Sequence, residues 1–227
     1  RDYVLSLSGY LPTGEFVRWG RDTRKFATGY NLRDLWIGSE GTLGVVTEIT
    51  VRLILAVPNR ITFLGAFSDD QAALNAPLAL GKLGIRPSII EYMDQWTIDC
   101  LQKYVGEEVF TGVEPKPMVL IELDGSKESL TQDAILVEKW LKSDSLNYKR
   151  ADDDGESEKL WEVRRQGSSS MKKLATTKLN EDIVVPLDRQ IELVQFVDFL
   201  RRDFELKIGV FGHCGDGNLH VNFMYDE

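Results

Sequence analysis

Two histidines, His213 and His220, stand seven residues apart in VFGHCGDGNLHVNF and are the only two in the 227 residues. Gly215-Asp216-Gly217-Asn218 between them is turn chemistry, so the segment reads as a hairpin. In a simple register the two rings face each other across it, near enough to chelate one ion. Imidazole suits Zn, Mn or Fe, but a stable site needs a further ligand, typically a carboxylate. Asn222 shares a face with His220 by period-two alternation, which leaves Val221 and Phe223 for the core. Cys214 points the other way and reads as a small buried filler. Without a further ligand, two structural histidines in one hairpin remain an equally complete reading.

A second string, GSEGTLG, places Gly38, Gly41 and Gly44 at three-residue intervals before a strand. Such spacing lets backbone approach a ligand closely and offers unobstructed N–H groups to a phosphate; it also suits a plain tight turn. No Gly-Lys-Ser/Thr follows and no helix follows, which excludes the Walker and dinucleotide fingerprints. In SEKLWEVRRQGSSSMKKL, helical spacing brings Trp161, Arg164, Arg165 and Ser168 to one side. A guanidinium beside a hydroxyl can grip a carboxylate, and the same residues fit a solvated basic face.

The elements that must position these residues follow from patterning. Pro12-Thr13-Gly14 turns an opening hairpin, and VVTEITVRLIL reads as a strand to Leu55, with Pro58 marking a boundary. Beyond it, strands ITFLGAF, PSIIEYMD, PMVLIELDG and NEDIVVP alternate with helices over SDDQAALNAPLALGKLG, over SKESLTQDAILVEKWLKS with Ser126 as N-cap, from about Ser157, and over LDRQIELVQFVDFLRRDF. ADDDGESE reads as a solvated loop. The fold class is α+β, an antiparallel sheet with helices on one face. With 43% hydrophobic and 28% charged residues the chain can build a core, and its net charge of -9 argues against nucleic acid as partner. Two cysteines make no disulfide framework, and a reducing compartment is expected. No apolar run is long enough to span a membrane. Both ends read as cut from something longer.

Two strings also carry a family resemblance. LRDLWIGSEGTLGVVTEITVRL is similar to the end of the FAD-binding domain in vanillyl-alcohol-oxidase-like flavoproteins. GHCGDGNLHVNF resembles the GHxGDGNLHxN signature of the FAD-linked oxidase C-terminal domain, found in D-lactate dehydrogenases, the glycolate oxidase flavoprotein subunit and D-2-hydroxyglutarate dehydrogenases. The resemblance implies that residues 1–55 end the FAD domain and that 56–227 form a substrate (cap) domain truncated at its C-terminus. Gly38, Ser39, Glu40, Gly41, Thr42, Leu43, Gly44 and Val45 would line FAD. His213 and His220 would be catalytic and hold a divalent metal with a Glu from a later Glu-His-Gly segment, which this sequence does not reach.

Arg164 and Ser168, the latter in place of the family's Thr, would bind the substrate carboxylate, and Asn222 would orient the substrate. Asn180 stands where the 2-hydroxyglutarate enzymes carry Lys, with Lys178 nearby, which favours D-lactate or glycolate over a dicarboxylate. The implied reaction is oxidation of a small D-2-hydroxy acid, with hydride passing to flavin and on to a quinone or electron-transfer protein. A homodimer or a multi-subunit complex, placed in the cytoplasm or mitochondrial matrix and peripheral to a membrane, fits that chemistry; the fragment alone would be inactive. The rival classes are a metal-dependent hydrolase and a non-catalytic binding or subunit module.

Overall fold

Turn chemistry at Pro12-Thr13-Gly14 joins β1 (Val4–Tyr10) to β2 (Phe16–Gly20) in an antiparallel hairpin. The computed structural model describes residues 1–226 and divides them into two compact units, Arg1–Ala56 and the chain from Val57 onward. In the first unit a short helix, α1 (Leu32–Trp36), starts at Asn31, whose side chain accepts the Asp34 N–H. It leads through the glycine-rich loop to β3 (Val45–Val51), which pairs with β1 to give the sheet order β2-β1-β3. The strand expected to reach Leu55 stops at Val51 because its partner β1 begins at Val4, opposite Val51.

The second unit runs β4 (Asn59–Ala66), α2 (Asp70–Leu74), α3 (Ala76–Lys82), β5 (Ile89–Met93), α4 (Gln95–Tyr104), β6 (Met118–Gly125), α5 (Lys127–Asp144), β7 (Asn147–Ala151), α6 (Asp154–Met171), β8 (Thr177–Val184), α7 (Gln190–Asp203), β9 (Lys207–His213) and β10 (Asn218–Tyr225). Its seven strands form one antiparallel sheet in the order β7-β4-β6-β5-β9-β10-β8. The single helix expected over 68–84 is two, since Pro77 in the first turn of α3 has no N–H to continue the ladder from α2. The acidic run expected as a loop starts α6: Asp153 caps it by accepting the Glu156 N–H, and Asp154 and Glu156 complement the dipole of the first turn.

The α+β class and antiparallel sheet are as expected, but the helices lie on both faces rather than one. Phe63, Tyr92, Ile121, Val210 and Val221 pack with α5 and α7 through Val137, Leu141, Val194 and Val197. The alternate residues Leu64, Met93, Leu120, Phe211 and Met224 pack with Ile98 and Leu101 of α4 and with Leu160, Val163 and Met171 of α6. A strand buried at every position, such as MVLIEL in β6, needs cover on both sides. The second helical layer depends on α4, whose start is hidden in the sequence because Asp94, its N-cap, ends the β5 string IIEYMD.

Asp94 is fully buried and uses both oxygens: one accepts the Thr97 N–H at 2.8 Å, the other the Val210 N–H at 3.0 Å, and Arg201 of α7 pairs with it. Nearby, Asp70 accepts the Tyr92 hydroxyl at 2.6 Å. Burial, with Asp94 close by, pushes the Asp70 carboxyl up to about 6 from an ordinary 3.8. The folded state therefore holds a proton that the unfolded chain has already lost, and this site's contribution to stability falls as pH rises from about 4 to about 6, by at most ~3 kcal/mol. Asp70→Asn keeps an acceptor for Tyr92 and removes the charge, so it is expected to raise the unfolding temperature at pH 7 and flatten that slope. Urea unfolding at pH 4 and pH 7 checks this; an unchanged slope would refute the assignment.

Candidate functional site

The hairpin of β9 and β10 turns through Cys214–Gly217, so that His213 pairs with Asn218 and His220 with Phe211. The two histidines are therefore diagonal rather than directly opposite, on one face of the sheet, with ring centroids 5.1 Å apart. Cys214 lies on the opposite face in the core, where burial pushes its thiol well above the ordinary range.

Each imidazole is held at Nδ1 by a carboxylate from a neighbouring strand: Glu91 of β5 for His213, Asp182 of β8 for His220. The bonds from His220 and Asn180 keep the Asp182 carboxyl below its usual range. Among the described residues neither Nε2 has a hydrogen-bond partner. A carboxylate-held Nδ1 with a bare Nε2 is the arrangement that orients histidine towards a metal. The same described residues hold no group of three His, Cys, Asp or Glu that could bind an ion, so the pair offers two donors of a fuller set.

Glu91 is buried and also accepts Nε of Arg164 at 2.5 Å, in an ion pair reaching from the sheet to α6. The Arg164 guanidinium lies 4.3 Å from the centroid of Phe211, and its two terminal nitrogens are unengaged among the described residues. One turn on, Ser168 accepts from Lys178 at 2.6 Å. Lys178, 5.6 Å from the same Phe211 ring, has its ammonium pKa lowered by burial and then by Lys172 and Arg164. Asn180 is exposed and donates to Asp182. Asn222 is fully buried: its amide donates to the carbonyls of Gly209 and His220, and its Oδ1 has no partner. Arg165 points away, into Glu158 and Glu162. A cleft of about 710 Å3 borders this cluster, lined among others by Ser88, Glu91, Trp161, Arg164, His213 and Asp216. Trp161 is steadied there by its bond to the buried Glu122 at 3.0 Å.

Sequence reasoning missed Glu91 and Asp182. The signal for Glu91 was present: an acid within the apolar strand IIEYM cannot be buried unpaired.

In the first unit, the loop after α1 bends through positive φ at Gly38, Glu40 and Gly41. Thr42 folds back, both its N–H and its hydroxyl donating to the Ser39 carbonyl. A side chain at Gly41 would meet nothing within 4 Å, so the backbone there is open to close approach by a flat or phosphate-bearing ligand, as a flavin nucleotide is. Gly44 is different: a Cβ there would lie 2.4 Å from the Tyr10 carbonyl oxygen and 2.6 Å from the Trp36 ring.

Residues 58–227 match the family model described as FAD linked oxidases, C-terminal domain. The chain belongs to that family. Among curated FAD linked oxidase relatives, the glycolate oxidase subunit GlcD of Bacillus subtilis is 33% identical over the whole of this chain and 48% of its own length. The D-lactate dehydrogenase of Anaerostipes hadrus is 30% identical over 97% of this chain and 48% of its own. The chain thus spans about half the length of these relatives. A solved p-cresol methylhydroxylase superposes with a TM-score of 0.74 at 11% identity, over 99% of this chain and 51% of its own, and shows the shared fold. No helix among the described residues is long and apolar enough to cross a membrane.

The packing at Gly44 predicts that Gly44→Ala, which drives a methyl group into the Tyr10 carbonyl, destabilises the first unit by about 1–3 kcal/mol. Gly41→Ala, facing open space, should cost less despite its positive φ. Chemical unfolding of the two variants checks the ranking, and equal losses would reject it.

Proposed function

We propose that the complete protein is an FAD-dependent oxidoreductase that converts a small D-2-hydroxy acid to the 2-oxo acid. The observation that carries this reading is the convergence of an Arg164 fork and two bare imidazole nitrogens on one face, with Arg164 and His213 lining a cleft. A carboxylate and a neighbouring hydroxyl are what such a set recognises. Curated relatives over this span are named as glycolate and D-lactate enzymes.

In this reading residues 1–55 end the FAD-binding domain, and Gly38–Val45 lie along the cofactor; the rest is the substrate domain. Arg164 binds the substrate carboxylate through its terminal nitrogens, while Phe211 beneath it keeps the guanidinium plane fixed. Ser168 and Lys178 add a hydroxyl and a second positive charge beside that carboxylate. His213 and His220 would hold a divalent ion (Zn, Mn or Fe), which supplies a Lewis acid that lowers the pKa of the α-hydroxyl. Asn222 is the chain's candidate for orienting the substrate, through its unpartnered Oδ1. Bound FAD would supply the two-electron acceptor for the hydride from C2, and the hydroxyl proton would leave to water. A quinone or an electron-transfer protein then fits as the acceptor, and D-lactate or glycolate as the substrate, since Asn180 offers no charge for a second carboxylate.

The complete protein is expected to be yellow and to oxidise D-lactate or glycolate. Arg164→Ala should lower kcat/KM by about 10- to 100-fold, the worth of one charged hydrogen-bond set. A colourless, inactive wild-type protein would reject the reading, and an unchanged kcat/KM in the variant would reject Arg164 as the clamp.

A further inference from the structure

Glu91 touches both halves of this site at once. Its two oxygens face different partners, Nε of Arg164 on α6 at 2.5 Å and Nδ1 of His213 at the end of β9. An ionised carboxylate only accepts hydrogen bonds, so the His213 proton must sit on Nδ1 and Nε2 must present a lone pair. Arg164, donating its Nε–H to the other oxygen and resting on Phe211, keeps its terminal nitrogens without a partner among the described residues. The separation of the guanidinium from the imidazole is thereby set by the span of one carboxylate group. Among the described residues nothing comparable holds His220, whose Asp182 partner is exposed and pairs with no arginine.

We infer that Glu91 is a positioning residue that fixes the His213 tautomer and the Arg164 fork together, matching them to a ligand whose carboxylate and oxygen donor sit on adjacent carbons. The inference rests on the reading of Arg164 and His213 as substrate-facing groups, and it deepens that reading by assigning the preference for 2-hydroxy over 3-hydroxy acids to one side chain that touches no substrate.

Glu91→Gln separates the cases. Arg164 has no acceptor, so the glutamine oxygen must face it and the NH2 group must face His213. Nδ1 then becomes the acceptor, and the proton moves to Nε2. His213 and His220 are the only imidazoles in this chain, so long-range 1H–15N spectra at a pH where both rings are neutral report both tautomers directly. The expected result is Nδ1–H at His213 in the wild type and Nε2–H in Glu91→Gln, with His220 unchanged; Asp182→Asn should do the reverse. In the complete protein, Glu91→Gln should raise KM for glycolate by about tenfold or more, as losing the partner that orients a binding group does. It should also narrow the preference for glycolate over 3-hydroxypropanoate.

An Nε2–H wild-type ring, a tautomer unmoved by Glu91→Gln, or an unchanged substrate preference overturns the inference. If Glu91→Gln does not fold, Glu91→Asp, one methylene shorter, cannot span both partners; a wild-type His213 tautomer together with a wild-type preference for glycolate overturns the inference equally. Should the tautomers shift as expected while the wild-type protein oxidises no hydroxy acid, the positional role stands and the functional reading falls.

Discussion

The seven-stranded sheet is joined at its weakest place by side chains. Strands β5 and β9 share only two registered pairs, Tyr92 with Gly212 and Met93 with Phe211, yet they connect the four strands on one side to the three on the other. The ladder is extended by the Asp94 N–H donating to the Val210 carbonyl and by the Gly215 N–H donating to that of Ile90. Asp94 then takes the Val210 N–H and pairs with Arg201, and Glu91 pairs with His213. Buried carboxylates are costly unless every oxygen is answered, so each forces its partners into one arrangement. The seam that backbone pairing leaves short is closed by charge, and the candidate site lies across it.

Burial on both faces decides what remains open. Helices α4 and α6 cover the face that carries Leu64, Met93, Leu120 and Phe211, while on β8, at the edge of the sheet, Asn180 and Asp182 stay exposed. The polar residues of the site gather where that cover ends: Arg164 and Ser168 along α6, Lys178 and Asp182 on β8, and the two histidines between. Phe211 is the pivot of this edge, with Arg164 and Lys178 against its ring and the His220 ring 5.5 Å from it. Two cations over one ring, with the carboxylates of Glu91 and Asp182 already engaged by the histidines, favour an anion at this spot.

Most of the strands were legible because their apolar runs are long and bounded by Gly, Pro or Asp. The long helices α5 and α7 were legible from apolar residues at helical spacing. Helix α4 was not: Thr97, Asp99 and Cys100 give WTIDCLQKY no strong helical signature, and it exists because Asp94 caps it and the core receives Ile98 and Leu101. Strand β7, NYKRA, is polar and edge-paired, and only β4 gives it a place. At the site, His213, His220, Arg164 and Ser168 were readable as chemistry-bearing residues. The proximity of Arg164 to His213 was not, since it depends on β5 bringing Glu91 between two elements more than 40 residues apart in sequence. The expectation of directly opposed histidines failed because it ignored how many residues the turn consumes.

That turn has a consequence of its own. Four residues, Cys214–Gly217, separate the paired His213 and Asn218, and this even count is what puts His220 and Asn222 on the face of His213. A slip of one residue in the pairing of β10 with β9 would turn every side chain of β10 through the sheet, sending His220 into the apolar core on the far side. A change in the loop is tolerated only where it keeps Asn218 opposite His213. The hairpin's spacing is thus a parity constraint, as binding on the site as the identity of its histidines.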